Sequence, residues 1–189
     1  LKKINATFAL GSEANVLSRF YKAAKKFKAK NIVRITADCP LIDPYLVDDM
    51  MKKFIKGKFD YINNAKFAEY SDGFDIEIFN FNSLLETYKK SKTSTEKEHV
   101  TPYMKNNVKF KTKRFKQVEN FNSKLSVDYY QDFKNVEKIF DYFKPNIYFS
   151  IKSVFKKKLH TKISYKGVKK YEALLSKTVN GQNLWKRAN

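Results

Sequence analysis

Asp38 is the residue whose type and position best fit catalytic chemistry. It follows the β-branched run from Asn31 to Thr36 and precedes Cys39-Pro40. A carboxylate is thereby predicted at the carboxyl end of a buried strand, where open α/β sheets bind ligands. Such a carboxylate can hold Mg²⁺, which prefers oxygen ligands and keeps phosphate oxygens in its coordination shell. The alternative is structural, because an aspartate before Cys-Pro also fits a turn.

Two further carboxylates are candidates for binding substrate hydroxyls. Asp75 and Glu77 stand two positions apart in the string FDIEIFNF, residues 74–81, where apolar residues occupy the alternate positions. This pattern predicts a strand with both carboxylates on one face. Paired acceptors on one face suit sugar hydroxyls, and an ordinary solvated strand face is the alternative.

Three other polar side chains are candidates for substrate binding, each with a structural alternative. Arg34 interrupts an apolar strand, so its charge needs a partner, either a protein carboxylate or an anionic substrate group. Glu98 stands three residues after Thr95, which matches a capping box, and His99 also fits a satisfied helix residue. Cys39 is expected to be a packed small side chain.

Helices and strands alternate along most of the chain, which predicts a layered α/β fold. Helices are predicted after Ser12, after Asp43-Pro44, after Asn82 or Ser83, from Thr95 to about Asn106, and from Asp132 to Phe143. Strands are predicted over residues 31–36, 59–63, 74–81, 108–118 and 124–128. The alternation predicts one domain over residues 1–145, and the Lys-rich remainder, 146–189, is expected to be a C-terminal helical extension and linker.

The chain is strongly basic, with 39 Lys and Arg against 19 Asp and Glu and a net charge of +20. A charge of this size attracts nucleic acid or anionic surfaces, so a basic RNA-binding or surface-binding module is one alternative function. Almost all the cations are lysines spread over the whole length, whereas base reading favours clustered arginine. We therefore expect no specific nucleic-acid partner.

Cysteine content and hydropathy predict the compartment. The single cysteine, Cys39, excludes an internal disulfide or a Cys-based zinc site. No apolar run approaches the roughly 20 residues that span a bilayer, and the first residues lack a signal-peptide pattern. We expect a cytoplasmic protein without membrane insertion.

The string RITADCPLIDP, residues 34–44, resembles the signature of the cytidylyltransferase family of the spore-coat polysaccharide biosynthesis and 3-deoxy-manno-octulosonate cytidylyltransferase types. The similarity continues in order through GSEANVLSRFYKAAKKF, DGFDIEIF, TEKEHVTPYMKNN and LSVDYYQDF, over roughly residues 8–145. It implies a nucleotide-diphospho-sugar transferase-like fold with a central mixed sheet. It also implies a nucleotidyltransferase for surface polysaccharide biosynthesis, which joins CTP to a sugar, sugar acid or polyol derivative and releases pyrophosphate.

The resemblance also implies roles for individual residues. Asp38 matches the family's Asp-x-Pro motif and would be catalytic and a Mg²⁺ ligand. Asp128 falls where members carry a Val-Asp-Thr-Pro-x-Asp-like string and would be the second ligand, although Tyr129 and Tyr130 replace Thr-Pro here. A helix cap is the alternative for Asp128. The substrate would be bound by Arg34, Asp75, Glu77, Glu98 and His99.

The resemblance is incomplete at the N-terminus. Family members begin with a strand and a loop containing Gly, Arg and Lys that holds the nucleotide, and no such loop is found in this sequence. We therefore expect a domain without its first strand and nucleotide loop, with weak CTP binding and little turnover by itself. We also expect a homodimer, because members of this family often form dimers and the chain is rich in aromatic residues.

Two other resemblances complete the sequence-based predictions. Residues 180–188, NGQNLWKRA, resemble the opening of glutamate-semialdehyde-type aminotransferases, which implies a fused aminotransferase domain downstream. A glycosyltransferase of the same sheet architecture is the alternative enzyme. It would use an Asp-x-Asp metal motif, whereas Asp38-Cys39-Pro40 lacks the second aspartate.

Overall fold

The computed structural model of the chain describes residues 6–64, 73–115 and 124–159. Its elements are, in order, α1 (Val16–Lys26), β1 (Asn31–Arg34), α2 (Pro44–Gly57), β2 (Tyr61–Asn63), β3 (Glu77–Asn80), α3 (Phe81–Lys90), α4 (Ser94–His99), α5 (Pro102–Asn106), β4 (Thr112–Arg114), α6 (Tyr130–Phe143) and α7 (Ile151–Lys156). Helices and strands are interspersed along the chain, as the sequence predicts, although β2 and β3 are consecutive and so are the helices α3 to α5.

The described strands form a mixed sheet in the order β1-β3-β2-β4. Strand β3 is antiparallel to both β1 and β2, and β4 is parallel to β2. Strands β1, β2 and β4 therefore run in one direction, and their carboxyl ends share an edge with the start of β3. At this edge, called here the carboxyl edge, Glu77 pairs with Arg34 and Asn63, and Asn63 pairs with Arg114. The predicted central mixed sheet is confirmed.

Helices cover both faces of the sheet, because the strands alternate apolar side chains between the two. On one face, Tyr61 and Phe79 pack with residues of α1, α3 and α5. On the other face, Ile62 and Ile78 pack against α2, whose Met50 is 1% exposed. The result is a three-layer α/β arrangement, in which the packing of the helices holds the ends of the strands in place.

A third apolar cluster joins the C-terminal helices to the rest of the fold. It consists of Leu41, Phe74, Leu125, Val136, Ile139, Ile151, Val154, Phe155 and Leu159. The N–H of Ile151 also donates to Oδ2 of the buried Asp43, 2.9 Å away, while Oδ1 of Asp43 caps α2. Residues 151–159 therefore pack into the same apolar cluster as residues of the domain predicted over residues 1–145.

The first turns of the helices agree with the sequence in one place and differ in another. Asp43 caps α2 as predicted. The predicted capping box of Thr95 and Glu98 is wrong, because the reciprocal hydrogen bonds join Thr93 and Glu96 instead. The chain then turns at Val100, whose φ is 71°. The single helix predicted up to Asn106 is consequently two, α4 and α5.

Several predicted strands are shorter than expected. The residues before β3 make no strand ladder, because the Asn64 side chain satisfies their backbone groups in place of a neighbouring strand. Its Oδ1 accepts from the N–H of Ile76 at 2.7 Å, and its Nδ2 donates to the carbonyl oxygen of Phe74 at 2.8 Å. The predicted strand over residues 124–128 reduces to a bridge at Lys124. Within the described ranges, no helix combines the length and apolarity needed to cross a membrane.

Candidate active site

Asp38 and Asp128 lie on neighbouring backbone segments beyond the carboxyl end of β1. The N–H of Val127 donates to the carbonyl oxygen of Asp38, with an N···O distance of 2.8 Å. Because Val127 directly precedes Asp128, the two predicted metal ligands start from adjacent segments although they are far apart in the sequence. The two backbone segments are thus adjacent, and the convergence of the two carboxylates on one metal ion stays a prediction.

The turn that presents Asp38 is held by its own side chains. Oγ1 of Thr36 and Sγ of Cys39 share a hydrogen bond at 3.3 Å, and the Cys39 thiol donates to Oδ1 of Asp38 at 3.6 Å. The N–H of Cys39 also donates to the Thr36 carbonyl at 3.1 Å. Cys39 is 4% exposed, so the prediction of a packed small side chain is confirmed. Asp38 remains half-buried at the mouth of this turn.

The Cys39 thiol is expected to react slowly with alkylating agents. Burial raises its pKa to about 11, with the Thr36 hydrogen bond opposing and the Asp38 charge adding to the rise. Thiolate is the reactive form, so at pH 8 the folded protein should react with iodoacetamide roughly 100-fold more slowly than an ordinary thiol with a pKa of about 8.5. The same protein in urea is the control, and equal rates in both conditions would contradict the prediction.

A third segment, residues 73–75, packs against the backbone that leads to Asp128. Gly73 has a φ of +108°, and a Cβ added there would lie 2.5 Å from the carbonyl carbon of Leu125 and from the nitrogen of Ser126. Asp75, two residues later, is half-buried, and its backbone hydrogen-bonds the Cys39 thiol. The segment that carries Asp75 therefore contacts both the turn that carries Asp38 and the segment that leads to Asp128.

Gly73→Ala should destabilise the fold by about 2 kcal/mol or more. The substitution strains a left-handed backbone conformation and forces the segment away from residues 125–126. Urea unfolding monitored by circular dichroism measures the change. Gly11→Ala is the matched control, because the nearest atom to its Cβ would be Cγ of the Arg19 side chain, 2.5 Å away, and not backbone, and we expect a smaller change of about 1 kcal/mol or less. Equal stability of the two variants would refute the close approach.

Asp128 is paired with a lysine and does not cap α6. Nζ of Lys124 lies 2.6 Å from Oδ2 of Asp128 and 2.8 Å from Oδ2 of Asp132. Asp132 performs the capping, since the same Oδ2 accepts from the N–H groups of Asp128 and Tyr129, both at 3.1 Å. The alternative of a helix cap for Asp128 is therefore wrong. Lys124 and Asp132 are the site residues that the sequence reasoning missed.

A buried ion network occupies the carboxyl edge on the α1/α3 face of the sheet. Glu77 is 3% exposed. Its Oε2 accepts from Nη1 of Arg34 at 2.6 Å. Its Oε1 accepts from the Tyr61 hydroxyl at 2.6 Å, from Oγ1 of Thr101 at 2.7 Å and from Nζ of Lys105 at 2.8 Å. The partner of Arg34 is thus a protein carboxylate, and Glu77 is not on a solvated strand face.

The charges in this network keep Glu77 ionised. Burial by itself raises the pKa of the Glu77 carboxyl, but the Lys105 ammonium, the Tyr61 hydroxyl and the Arg34 charge together hold it below its ordinary value. Burial and the Glu77 charge raise the pKa of Tyr61, so its hydroxyl stays a donor. Two cations around one carboxylate leave an excess positive charge, and the Lys105 side chain is 39% exposed. This edge can therefore attract an anionic group.

The structure leaves the side chains of Glu98 and His99 exposed at the end of α4. The N–H of Thr101 donates to the His99 carbonyl at 2.8 Å across Val100, whose φ and ψ of 71° and −51° are those of a γ-turn. This strained turn directs Thr101 towards Glu77. The backbone of His99 is consequently next to the ion network, whereas no hydrogen bond or ion pair of the described residues joins its side chain to Asp38 or Asp128.

The residues present can contribute carboxylate oxygens to a metal ion but do not enclose one. Among the described residues, no three His, Cys, Asp or Glu side chains cluster closely enough to hold a metal on their own. Mg²⁺ usually needs only one or two protein carboxylates, because waters and substrate phosphates complete its octahedron. Asp38 and Asp128 on adjacent segments fit that requirement.

The layered α/β fold with its mixed sheet is that of a nucleotide-diphospho-sugar transferase-like domain. The chain belongs to the cytidylyltransferase family, because the family model described as Cytidylyltransferase matches residues 3–174. The predicted family and fold class are thereby confirmed.

Two curated proteins are similar in sequence to this chain. The chain is 36% identical over 138 residues to an uncharacterized protein of Methanocaldococcus jannaschii, covering 69% of this chain and 56% of the relative. It is 31% identical over 137 residues to the spore coat polysaccharide biosynthesis protein SpsF of Bacillus subtilis, covering 69% of this chain and 55% of the relative. The chain therefore spans about half the length of the curated relatives it matches.

A solved structure supports the same fold. The structure of a cytidylyltransferase from Leptospira borgpetersenii superposes with a TM-score of 0.78 at 28% identity, covering 87% of this chain and 71% of that protein.

Proposed function

We propose that the protein is a CTP-dependent nucleotidyltransferase that activates a sugar, sugar acid or polyol derivative for surface polysaccharide biosynthesis. Family membership supports the reaction class, and the similarity to a spore coat polysaccharide biosynthesis protein supports the kind of acceptor. The observation that carries the proposal is the 2.8 Å hydrogen bond that sets the segments of Asp38 and Asp128 side by side.

Mg²⁺ is the cofactor of this proposal, with Asp38 and Asp128 as its protein ligands. The donor chemistry supports it, since both are carboxylates from segments that meet beyond the carboxyl end of β1. When bound, Mg²⁺ would neutralise charge on the nucleotide phosphates. In the reaction, an acceptor oxygen forms a bond to the α-phosphorus while the bond to the leaving pyrophosphate breaks, and no side-chain nucleophile is required.

The remaining roles belong to residues of the carboxyl edge. Arg34 and Lys105 surround Glu77 and provide the positive charge that draws an anionic substrate group towards the edge. Glu77 has both oxygens engaged, so in this proposal it orders the cations and does not accept from sugar hydroxyls. Asp75 is the carboxylate whose half-buried position suits the acceptor hydroxyls.

The exposed pair Glu98 and His99 completes the proposed substrate-binding set from the end of α4. Their side chains face solvent, and the backbone of His99 is fixed next to the ion network. In this position they would contact the outer part of the acceptor.

The proposal is tested by measuring pyrophosphate release from CTP with Mg²⁺ and a panel of sugars, sugar acids and polyol phosphates. We expect slow release that requires both Mg²⁺ and an acceptor, with CTP preferred over the other nucleoside triphosphates. Asp128→Asn should abolish it, whereas Asp141→Asn, an exposed aspartate of α6 paired with Lys144, should not. Steeply salt-dependent RNA binding without CTP-dependent release would favour the basic-module alternative.

Three further expectations accompany the proposal. A cytoplasmic location and a homodimer stay predictions, to be checked by cell fractionation and by light scattering. The implied aminotransferase fusion rests on residues 180–188, which lie outside the described residues.

A further inference from the structure

Lys124 is held on three sides next to the candidate metal ligand Asp128. Its Nζ lies 2.6 Å from Oδ2 of Asp128, 2.8 Å from Oδ2 of Asp132 and 5.0 Å from the centroid of the Tyr129 ring. The side chain is 19% exposed. The Lys124 ammonium, a monovalent cation, therefore already pairs with one oxygen of Asp128. The proposed reaction needs the same carboxylate to bind a divalent metal ion.

The two carboxylates that hold Lys124 differ in how firmly they are fixed. Asp132 is 5% exposed and accepts two backbone N–H groups at the start of α6, so it cannot turn away. Asp128 is 47% exposed, and among the described residues the contacts of its Oδ2 are the Lys124 ammonium and a long 3.5 Å hydrogen bond from Ser126. The Lys124–Asp132 contact is thus fixed, and the Lys124–Asp128 contact is exchangeable.

We propose that Lys124 is a resident cation of the site: it neutralises Asp128 in the free protein and transfers to a nucleotide phosphate oxygen when Asp128 ligates the metal. This inference rests on the proposed function. A divalent ion that binds Asp128 must compete with an ammonium already at 2.6 Å, which weakens metal binding to the free protein. An incoming triphosphate gives the ammonium an equivalent partner and releases the carboxylate.

The lysine side chain is suited to such an exchange. Its compact ammonium on a flexible four-carbon stem can change partners by rotation, whereas a planar guanidinium is restricted by its fork geometry. Asp132 retains the stem beside the site while the head group moves. Metal and nucleotide should therefore each strengthen the binding of the other by the same factor.

The test measures Mn²⁺ binding by the electron paramagnetic resonance signal of the free ion, with and without CTP. In Lys124→Met the free protein should bind Mn²⁺ about tenfold more tightly than wild type, and the gain in Mn²⁺ affinity produced by CTP should fall by at least about tenfold. Lys134→Met is the matched control, because Lys134 pairs with Glu137 on the exposed side of α6 and should leave both affinities unchanged. Circular dichroism confirms that each variant is folded.

Lys124→Arg supplies a second variant that keeps the charge and the contact to Asp132. It should bind Mn²⁺ weakly without CTP, like wild type, while showing a reduced effect of CTP. Unchanged Mn²⁺ affinity in both Lys124 variants overturns the inference. Mn²⁺ binding that survives both Asp38→Asn and Asp128→Asn, or is absent from wild type even with CTP, overturns the metal site of the proposed function, and the role of Lys124 falls with it.

Discussion

Asp38→Asn is expected to lower the proposed CTP-dependent pyrophosphate release by about 10³-fold, which corresponds to about 4 kcal/mol of transition-state stabilisation. The amide keeps the shape of the carboxylate and can still accept the 3.6 Å hydrogen bond from the Cys39 thiol, so the turn after β1 should persist. The substitution removes the negative charge that would hold the metal against the phosphates. The effect should therefore appear in kcat far more than in thermal stability.

Two measurements make this expectation specific to the site. Asp48→Asn, on the exposed side of α2, changes the same residue type ten positions along and should retain full activity. The Asp38 variant should unfold within about 1 kcal/mol of wild type. Activity within fivefold of wild type in Asp38→Asn would remove Asp38 from the catalytic group.

Glu77→Gln is expected to destabilise the fold by about 3 kcal/mol. The variant leaves Arg34 and Lys105 facing a neutral group at a site where the wild-type side chain is 3% exposed. Removing one member of a buried ion network is costly because the remaining charges lose their compensation. Glu86→Gln is the control, since its pair with the exposed Lys109 should contribute less than about 1 kcal/mol.

The pH dependence of this difference has a definite sign. The pKa of Glu77 is lower in the folded protein than its ordinary value of 4.5. Its contribution is therefore fully present above pH 4.5 and is lost as the pH falls through the folded pKa. The stability gap between wild type and Glu77→Gln, measured by urea unfolding, should narrow in acid. A gap that is constant from pH 7 to pH 3 would show that the charge of Glu77 contributes nothing.

The turn that carries Asp38 was predictable because its signals are local. A β-branched strand, the string Asp38-Cys39-Pro40 and the helix start at Asp43 are adjacent, and the structure places each of them as read. The sequence also predicted that Arg34 needs a negatively charged partner, either a protein carboxylate or an anionic substrate group. Which of the two is present depends on β3 and on the α4–α5 turn, which contribute Glu77 and Thr101 from distant positions. No short pattern encodes that meeting.

The wrong capping box has a physical origin that the C-terminal helix does not share. The capping-box spacing is satisfied twice, by Thr93 with Glu96 and by Thr95 with Glu98. The structure has the first pair, in a helix α4 that packs against α1, and this tertiary contact is not visible in the local sequence. The C-terminal helix, by contrast, carried a readable signal. Ile151, Val154, Phe155 and Leu159 recur at helical spacing, and the lysines between them hid an apolar face that the core buries.

The shared carboxylate of Asp43 has a practical meaning for dissecting this protein. One oxygen caps the start of α2 directly after the turn that carries Asp38, and the other accepts from the first N–H of α7. A shortened protein that stops before Ile151 would leave that second oxygen without its donor and bare the apolar surface of Leu41 and Phe74. Any truncation series intended to isolate a minimal catalytic unit should therefore retain the chain through Leu159.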